Sequence, residues 1–257
     1  MTFTSLPASF LAKVGRMRAQ FGKVNSQHAD VLPWVDVPLP ISNLLGGEEG
    51  WIGNGVSIAR LFPLPGDTFS EATLQVFSGE AEGLFAGEER NDLAYNLHYR
   101  LFRDLTEATN LDLGLSYALG PNDSQPGAET RLEGVNATWR WKPLRRALYR
   151  TVIVRGELMR SRREEPDETL AASGWFLSGD LRLGRRWWLG GRYESSERGT
   201  DPGVTDTGES LILTFWPSEF SQLRGQLRHR DYGEGTDATE LLLQLQFSIG
   251  THAAHPF

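Results

Sequence analysis

Along most of the chain, apolar and polar side chains alternate with a period of two. Leu93, Tyr95, Leu97, Tyr99 and Leu101 fall on one parity, while Asp92, Ala94, Asn96, His98 and Arg100 fall on the other. The following segment repeats the pattern, with Leu111, Leu113, Leu115, Tyr117 and Leu119 opposing Asn110, Asp112, Gly114 and Ser116. A strand turns successive side chains to opposite faces, so each such segment carries one oily and one polar face. Similar segments recur around 72–76, 135–141, 152–158, 175–183, 187–193, 211–215, 223–227 and 241–249. They are less clean over 10–21 and 56–62. The pattern predicts about twelve strands of roughly 9–13 residues, near the length a tilted strand needs to cross a bilayer. Strands of ordinary soluble proteins are commonest at about 5–6 residues.

The connections also alternate. Short turns are expected at 63–68, 104–108, 143–146, 185–186 and 217–219, and long polar loops at 22–55, 80–91, 120–129, 162–172, 196–206 and 232–236. Tight turns at one rim and longer loops at the other are the habit of an outer-membrane barrel. Trp139, Trp141, Trp187, Trp188 and Trp216 cluster near the short turns, where a belt of interfacial aromatics is expected. The predicted fold is all-β: a transmembrane antiparallel up-and-down barrel, one domain over residues 1–257, with a long outer loop at 22–55. Such a loop, folded inward, would narrow a pore; lying outside, it would be a surface cap.

Composition refines this picture. Apolar residues make up 39% of the chain, and no run approaches the ~20 of a membrane-spanning helix. A barrel escapes that test, because every second residue faces a polar interior. The net charge of -7 disfavours a general nucleic-acid partner. Cysteine is absent, which suits passage through an oxidising periplasm. Met1 to Leu6 carries no basic or apolar region of a signal peptide, so the expectation is a chain lacking the N-terminal part of a longer protein.

The inward parity supplies the candidate pore lining: Arg16, Arg18, Asp92, His98, Arg100, Asp112, Arg140, Arg155, Glu157, Asp180, Arg182, Arg192, Glu194, Arg224 and Arg228, with Glu133 also assigned inward. Rings of one charge select solutes of the other. Mixed signs equally suit a mesh of ion pairs that stiffens the wall. His28 and Asp30 in the long loop, and His252 and His255 near the end, are weak zinc candidates without ligand spacing, so neither metal nor cofactor is expected. Phe257 ends the chain as an aromatic after an alternating strand, the usual signal to barrel-assembly machinery. No serine sits in a nucleophile context beside the strand histidine His98, and no enzyme is expected.

Several stretches carry a resemblance: "FGKVNSQHADVLPWVDVPL", "GGEEGWIGNGVSIARL", "TNLDLGLSYALGPNDS", "WKPLRRALYR", "LTFWPSEFSQLRGQ" and "FSIGTHAAHPF". They resemble a group of bacterial outer-membrane porin-like proteins, often labelled zinc-regulated TonB-dependent receptors. Val14-Gly15-Arg16-Met17-Arg18 followed by Phe21-Gly22-Lys23 is distantly similar to phosphate-selective porins O and P. The resemblance implies a cell outer-membrane location in a Gram-negative bacterium and a longer parent of about sixteen strands. The expected role is passive diffusion of small polar or charged solutes. The alternatives are the barrel of a TonB-dependent-type receptor for metal uptake and a non-conducting structural barrel. Outer-membrane lipid, assembly machinery and the solutes themselves are the expected partners, with a trimer the analogy offered by general porins.

Overall fold

A computed structural model describes residues 1–4, 6–66, 68–87 and 91–248. The strands are β1 (Thr2–Phe3), β2 (Phe10–Arg18), β3 (Ile52–Leu64), β4 (Thr68–Ser78), β5 (Glu80–Ala81), β6 (Phe85–Ala86), β7 (Leu93–Thr106) and β8 (Thr109–Pro121). They continue with β9 (Glu129–Trp141), β10 (Val152–Glu164), β11 (Thr169–Arg182), β12 (Trp187–Arg198), β13 (Asp201–Ser218), β14 (Ser221–Asp231) and β15 (Asp237–Phe247). One short helix, α1 (Leu39–Leu44), lies between β2 and β3. Twelve of these strands are long, and each pairs antiparallel with its neighbour in chain order, skipping only the small β5–β6 hairpin. The result is an up-and-down β-barrel wall of thirteen strands, with β1 at one edge and β15 at the other. Among the described residues no pairing joins those two edges.

The alternation sets which way each strand faces. Tyr95, Leu97, Leu113, Leu115, Tyr117, Val135, Leu158, Leu177, Tyr193 and Leu211 are exposed on the outer face. Their neighbours Asn96, His98, Asp112, Ser116, Asn136, Glu157, Ser178, Asp180, Arg192 and Glu194 are buried on the inner face. This is the reverse of a water-soluble domain, where large apolar side chains go inside.

Three expectations change. First, β10 and β11 stay paired to Glu164↔Thr169, and β12 and β13 to Arg198↔Asp201. The regions 162–172 and 196–206 are therefore hairpins rather than long loops. The outward positions of those strand ends are polar, as at Ser173, Glu197 and Thr205, so the apolar alternation fades while the backbone ladder persists. Second, the turn between β9 and β10 spans 142–151, longer than the expected 143–146. Third, β3 begins at Ile52, so the long connection runs 19–51 rather than 22–55. Gly53 and Gly55 had masked the start of that strand.

The apolar core lies inside the wall and belongs largely to that connection. Phe21, Trp34, Ile41, Leu44, Leu45 and Trp51 pack with Phe77, Leu132, Met159, Phe176 and Ile212 from the inner face. Each large side chain so buried contributes about 1.5–3 kcal/mol. Trp34 meets Phe176 edge-on at 5.4 Å, and Trp51 sits 5.0 Å from both Phe77 and Phe85.

Candidate functional site

The 19–51 loop folds into the barrel and is fastened to the inner wall strand by strand. It enters past β4, where the Gln20 amide N–H donates to Gln75 Oε1 at 2.7 Å. On β8 the Gly22 amide donates to Ser116 Oγ at 2.9 Å, and that hydroxyl also lies 2.8 Å from Nδ1 of the buried His98. On β10 one oxygen of Glu157 accepts the amides of both Lys23 and Val24, each at 2.8 Å. Local backbone makes this possible: Gly22 has φ +62, and a Cβ there would stand 2.5 Å from Glu157 Oε2. Opposite, Gly134 leaves room for the ring of Phe21, which an added Cβ would meet at 2.9 Å.

The loop's middle is held by charge. Asp36 receives Arg192 from β12 at 2.9 Å, and Arg228 and Arg230 from β14 at 2.7 and 2.8 Å. Gln226 Nε2 adds a hydrogen bond at 2.7 Å. Burial by itself would raise the Asp36 carboxyl, but Arg192 and Arg230, with hydrogen bonds from Arg228 and Gln226, outweigh it and hold the group below the usual carboxylate range. Arg192 also lies over the Trp34 ring at 5.1 Å and bonds Glu194 at 3.0 Å. Glu194 in turn accepts the Leu39 amide at the start of α1. From α1, Asn43 donates to Asp206 on β13 at 2.9 Å.

Towards the short turns the inner face is richer in bases. Lys23 reaches Asp112 at 2.8 Å, and Arg100 grips the same carboxylate with Nε at 2.9 Å and Nη2 at 2.7 Å. Burial lowers the Lys23 ammonium below its usual range, opposed by Asp112 and reinforced by Arg100 and Arg140. Arg155 pairs with Asp180. Arg224 donates to the Trp34 carbonyl and to Gln244. Arg182 is bound to the carbonyls of Ala147, Gly184 and Arg185 and stacks on Trp188. At the other rim, Gly46 to Glu49 and Glu82–Gly83 enclose an open hollow of about 360 Å³.

The structure therefore brings His98, Arg100, Asp112, Arg140, Arg155, Glu157, Asp180, Arg182, Arg192, Glu194, Arg224 and Arg228 to the inner face. Asp92 sits just before β7, its carbonyl accepting the Gly79 amide at 2.7 Å. Arg16 and Arg18 are not on the inner face. Val14 pairs with Val56, both exposed outward, and Arg16 and Arg18 share that parity. Lys13 and Met17 take the inward positions, opposite Ser57 and Gly53. With one apolar residue on each parity here, the pattern could not assign the face. Arg18 turns its guanidinium to the Glu49 carbonyl of the loop. Glu133 also points outward, beside Val135, and lies 3.6 Å from Arg162.

Trp139 and Trp187 are exposed on the outer face, Trp187 stacking on Phe215, and Trp141 is half-buried at the same rim. Trp188 must face inward because its strand neighbour Trp187 faces out. Trp216 lies at the register break between Phe215 and Ser218. His28 and Asp30 are both exposed on the loop, and among the described residues no three His, Asp or Glu side chains converge on a common point. His252, His255 and Phe257 lie outside the described residues. Sequence reasoning missed Asp36, Gln226 and Arg230. Asp36 is one acid in a polar loop, and nothing local marks it as the partner of three distant arginines.

No protein-family model matches the chain. An Aquifex aeolicus (strain VF5) protein described as uncharacterized is 30% identical over 293 residues, covering 98% of this chain and 61% of its own length. The chain thus spans less than two thirds of that relative. Among solved structures, the anion-selective porin from Comamonas acidovorans superposes with a TM-score of 0.57 at 12% identity, over 92% of this chain and 72% of that one. A KdgM porin gives a TM-score of 0.33 at 8% identity, over 77% of this chain and 94% of its own. The likeness to the first establishes a porin-type barrel fold.

Proposed function

We propose that the chain forms the wall and the internal loop of an outer-membrane channel through which small polar or charged solutes diffuse. The observation that carries this reading is the inverted distribution of side chains. An outer face of exposed Leu, Val, Tyr and Trp backs onto an inner face of buried Arg, Asp, Glu, Asn and Ser. Lipid on one side and an aqueous lumen on the other is the environment that makes both faces favourable.

The inner loop supports a channel over the receptor alternative. It is continuous at both ends with wall strands and fastened to the inner face from β4 round to β14, as a loop that narrows a lumen would be. In a receptor opened by an energised partner a separate domain fills the lumen, whereas here a loop of the wall itself enters it. A channel needs no cofactor and no catalytic residue.

The test is a planar-bilayer recording of protein refolded in detergent. Discrete, stable current steps are expected, together with heat-modifiable migration in gels. Folded, inserted protein that passes no current would remove the channel and leave a structural barrel whose loop is a plug.

A further inference from the structure

Most inner-face cations near the turn-side mouth have an acceptor; Arg140 does not. It lies on the inward parity of β9, in register with Asn110 on β8 and Ile153 on β10. Among the described residues its guanidinium makes no ion pair, and its Nε is buried without a hydrogen-bond partner. Among the described residues no carboxylate comes within ion-pair distance of it, and the nearest acids face other groups. Asp112 is held by Arg100 and Lys23, and Asp180 by Arg155. Glu157 turns one oxygen to the two loop amides and the other towards Gly22, where it has no hydrogen-bond partner. Glu71 on β4 stands opposite Arg100 in the strand register.

Around this residue the fields add. Arg155 and Arg100 act on Arg140 through space, with Asp112 the one acid that acts on it. Lys23 of the loop feels Arg140 and Arg100 together. A guanidinium left without an acceptor among other cations is costly unless an anion completes it, and its planar fork suits a carboxylate or oxyanion.

We infer that Arg140, flanked by Arg100, Arg155 and Lys23, is a transit site for small anions, carboxylates or inorganic oxyanions, on the wall beneath the loop. This rests on the channel reading above and adds a substrate class to it. A solute anion would replace the missing acceptor at Arg140 and then leave, because no second cation is free to hold it.

The test uses sulfate as the probe on the refolded chain, read two ways. Calorimetric titration measures binding without reference to current. Reversal potential under a potassium chloride gradient measures ion preference. The expected result is saturable sulfate binding, chloride preferred over potassium, and sulfate block of the chloride current. Arg140→Gln should weaken sulfate binding by about tenfold or more, the worth of one charge-assisted hydrogen bond, and reduce the anion preference. Arg140→Lys should keep the preference and lose part of the binding. Arg131→Gln, on the outer face, should change neither.

Current without anion preference, or sulfate binding unchanged in Arg140→Gln, would overturn the site while leaving the channel standing. Sulfate binding lost in Arg140→Gln with no current in any variant would overturn the channel and keep an anion site. Should Arg140→Gln fail to insert, wild-type protein still decides: cation preference with no sulfate binding overturns the proposal.

Discussion

Among the carboxylates that attach the loop, Glu157 and Asp36 act by different chemistry. Glu157 accepts backbone amides, so removing it strands two buried N–H groups. Asp36 meets three arginines, so removing it leaves buried positive charge without its acceptor. Glu157→Ala is expected to cost about 1–3 kcal/mol for each stranded amide, and Asp36→Ala about 3–5 kcal/mol of docking. Hydrogen exchange of the 20–45 amides checks both: Glu157→Ala should speed exchange around 22–24, and Asp36→Ala around 33–39. The pH response of Asp36 follows from its lowered pKa. A carboxyl depressed in the folded state contributes stability that is complete above its unfolded pKa of about 3.9 and lost as pH falls through the lower folded value. The Asp36 latch should therefore hold at pH 5 and release only under more acid conditions. Loop exchange rates that rose already between pH 7 and 5 would show that Asp36 is not what holds it.

At the scale of elements, the strands and the place of the long loop were legible, and the loop's attachments were not. Period-two alternation reports one face against the other, and Leu93 to Leu101 or Leu111 to Leu119 gave their parity without ambiguity. Where the apolar signal thins, the parity fails, as at Val14 to Arg18, or the strand ends are placed short, as at 162–172 and 196–206. Most of the inner-face residues followed from parity alone. Their partners did not, because Asp36 to Arg228 spans most of the chain and no local rule links them. The loop itself folds as a small apolar body, with Trp34 packed against Phe176 and Arg192. Trp34→Ala should open a cavity costing about 3–5 kcal/mol. Because that energy docks the loop rather than the wall, the expected outcome is a barrel that still resists denaturant while channel conductance rises and becomes noisy. A global loss of barrel stability equal to the loss in the loop would show the two to be one cooperative unit.

The whole molecule is decided by its outer face. On β8 the outward run Leu111, Leu113, Leu115, Tyr117 and Leu119 climbs eight residues. At about 3.4 Å per residue and a tilt of about 40°, that run is about 20 Å tall, close to the ~25 Å apolar band of membrane barrels. Tyr95, Tyr117, Trp175 and Tyr193 stand near its loop-side limit, and Trp139 and Trp187 near the turns, all exposed. Leu115 lies at mid-height and is 57% exposed. On a water-facing surface Leu→Arg is worth within about ±0.5 kcal/mol. In hydrocarbon at the midplane an arginine costs about 2–4 kcal/mol. Leu115→Arg is therefore expected to lower the unfolding free energy in lipid vesicles by about 2–4 kcal/mol, while a glutamine in place of the inward-facing Asn96 should leave the lipid term untouched. Denaturant titration followed by tryptophan emission measures both in the same vesicles. If Leu115→Arg proved neutral there, the outer face would not be lipid-facing, and the reading of the inner face as a lumen would fall with it, since the two faces are alternate residues of the same strands.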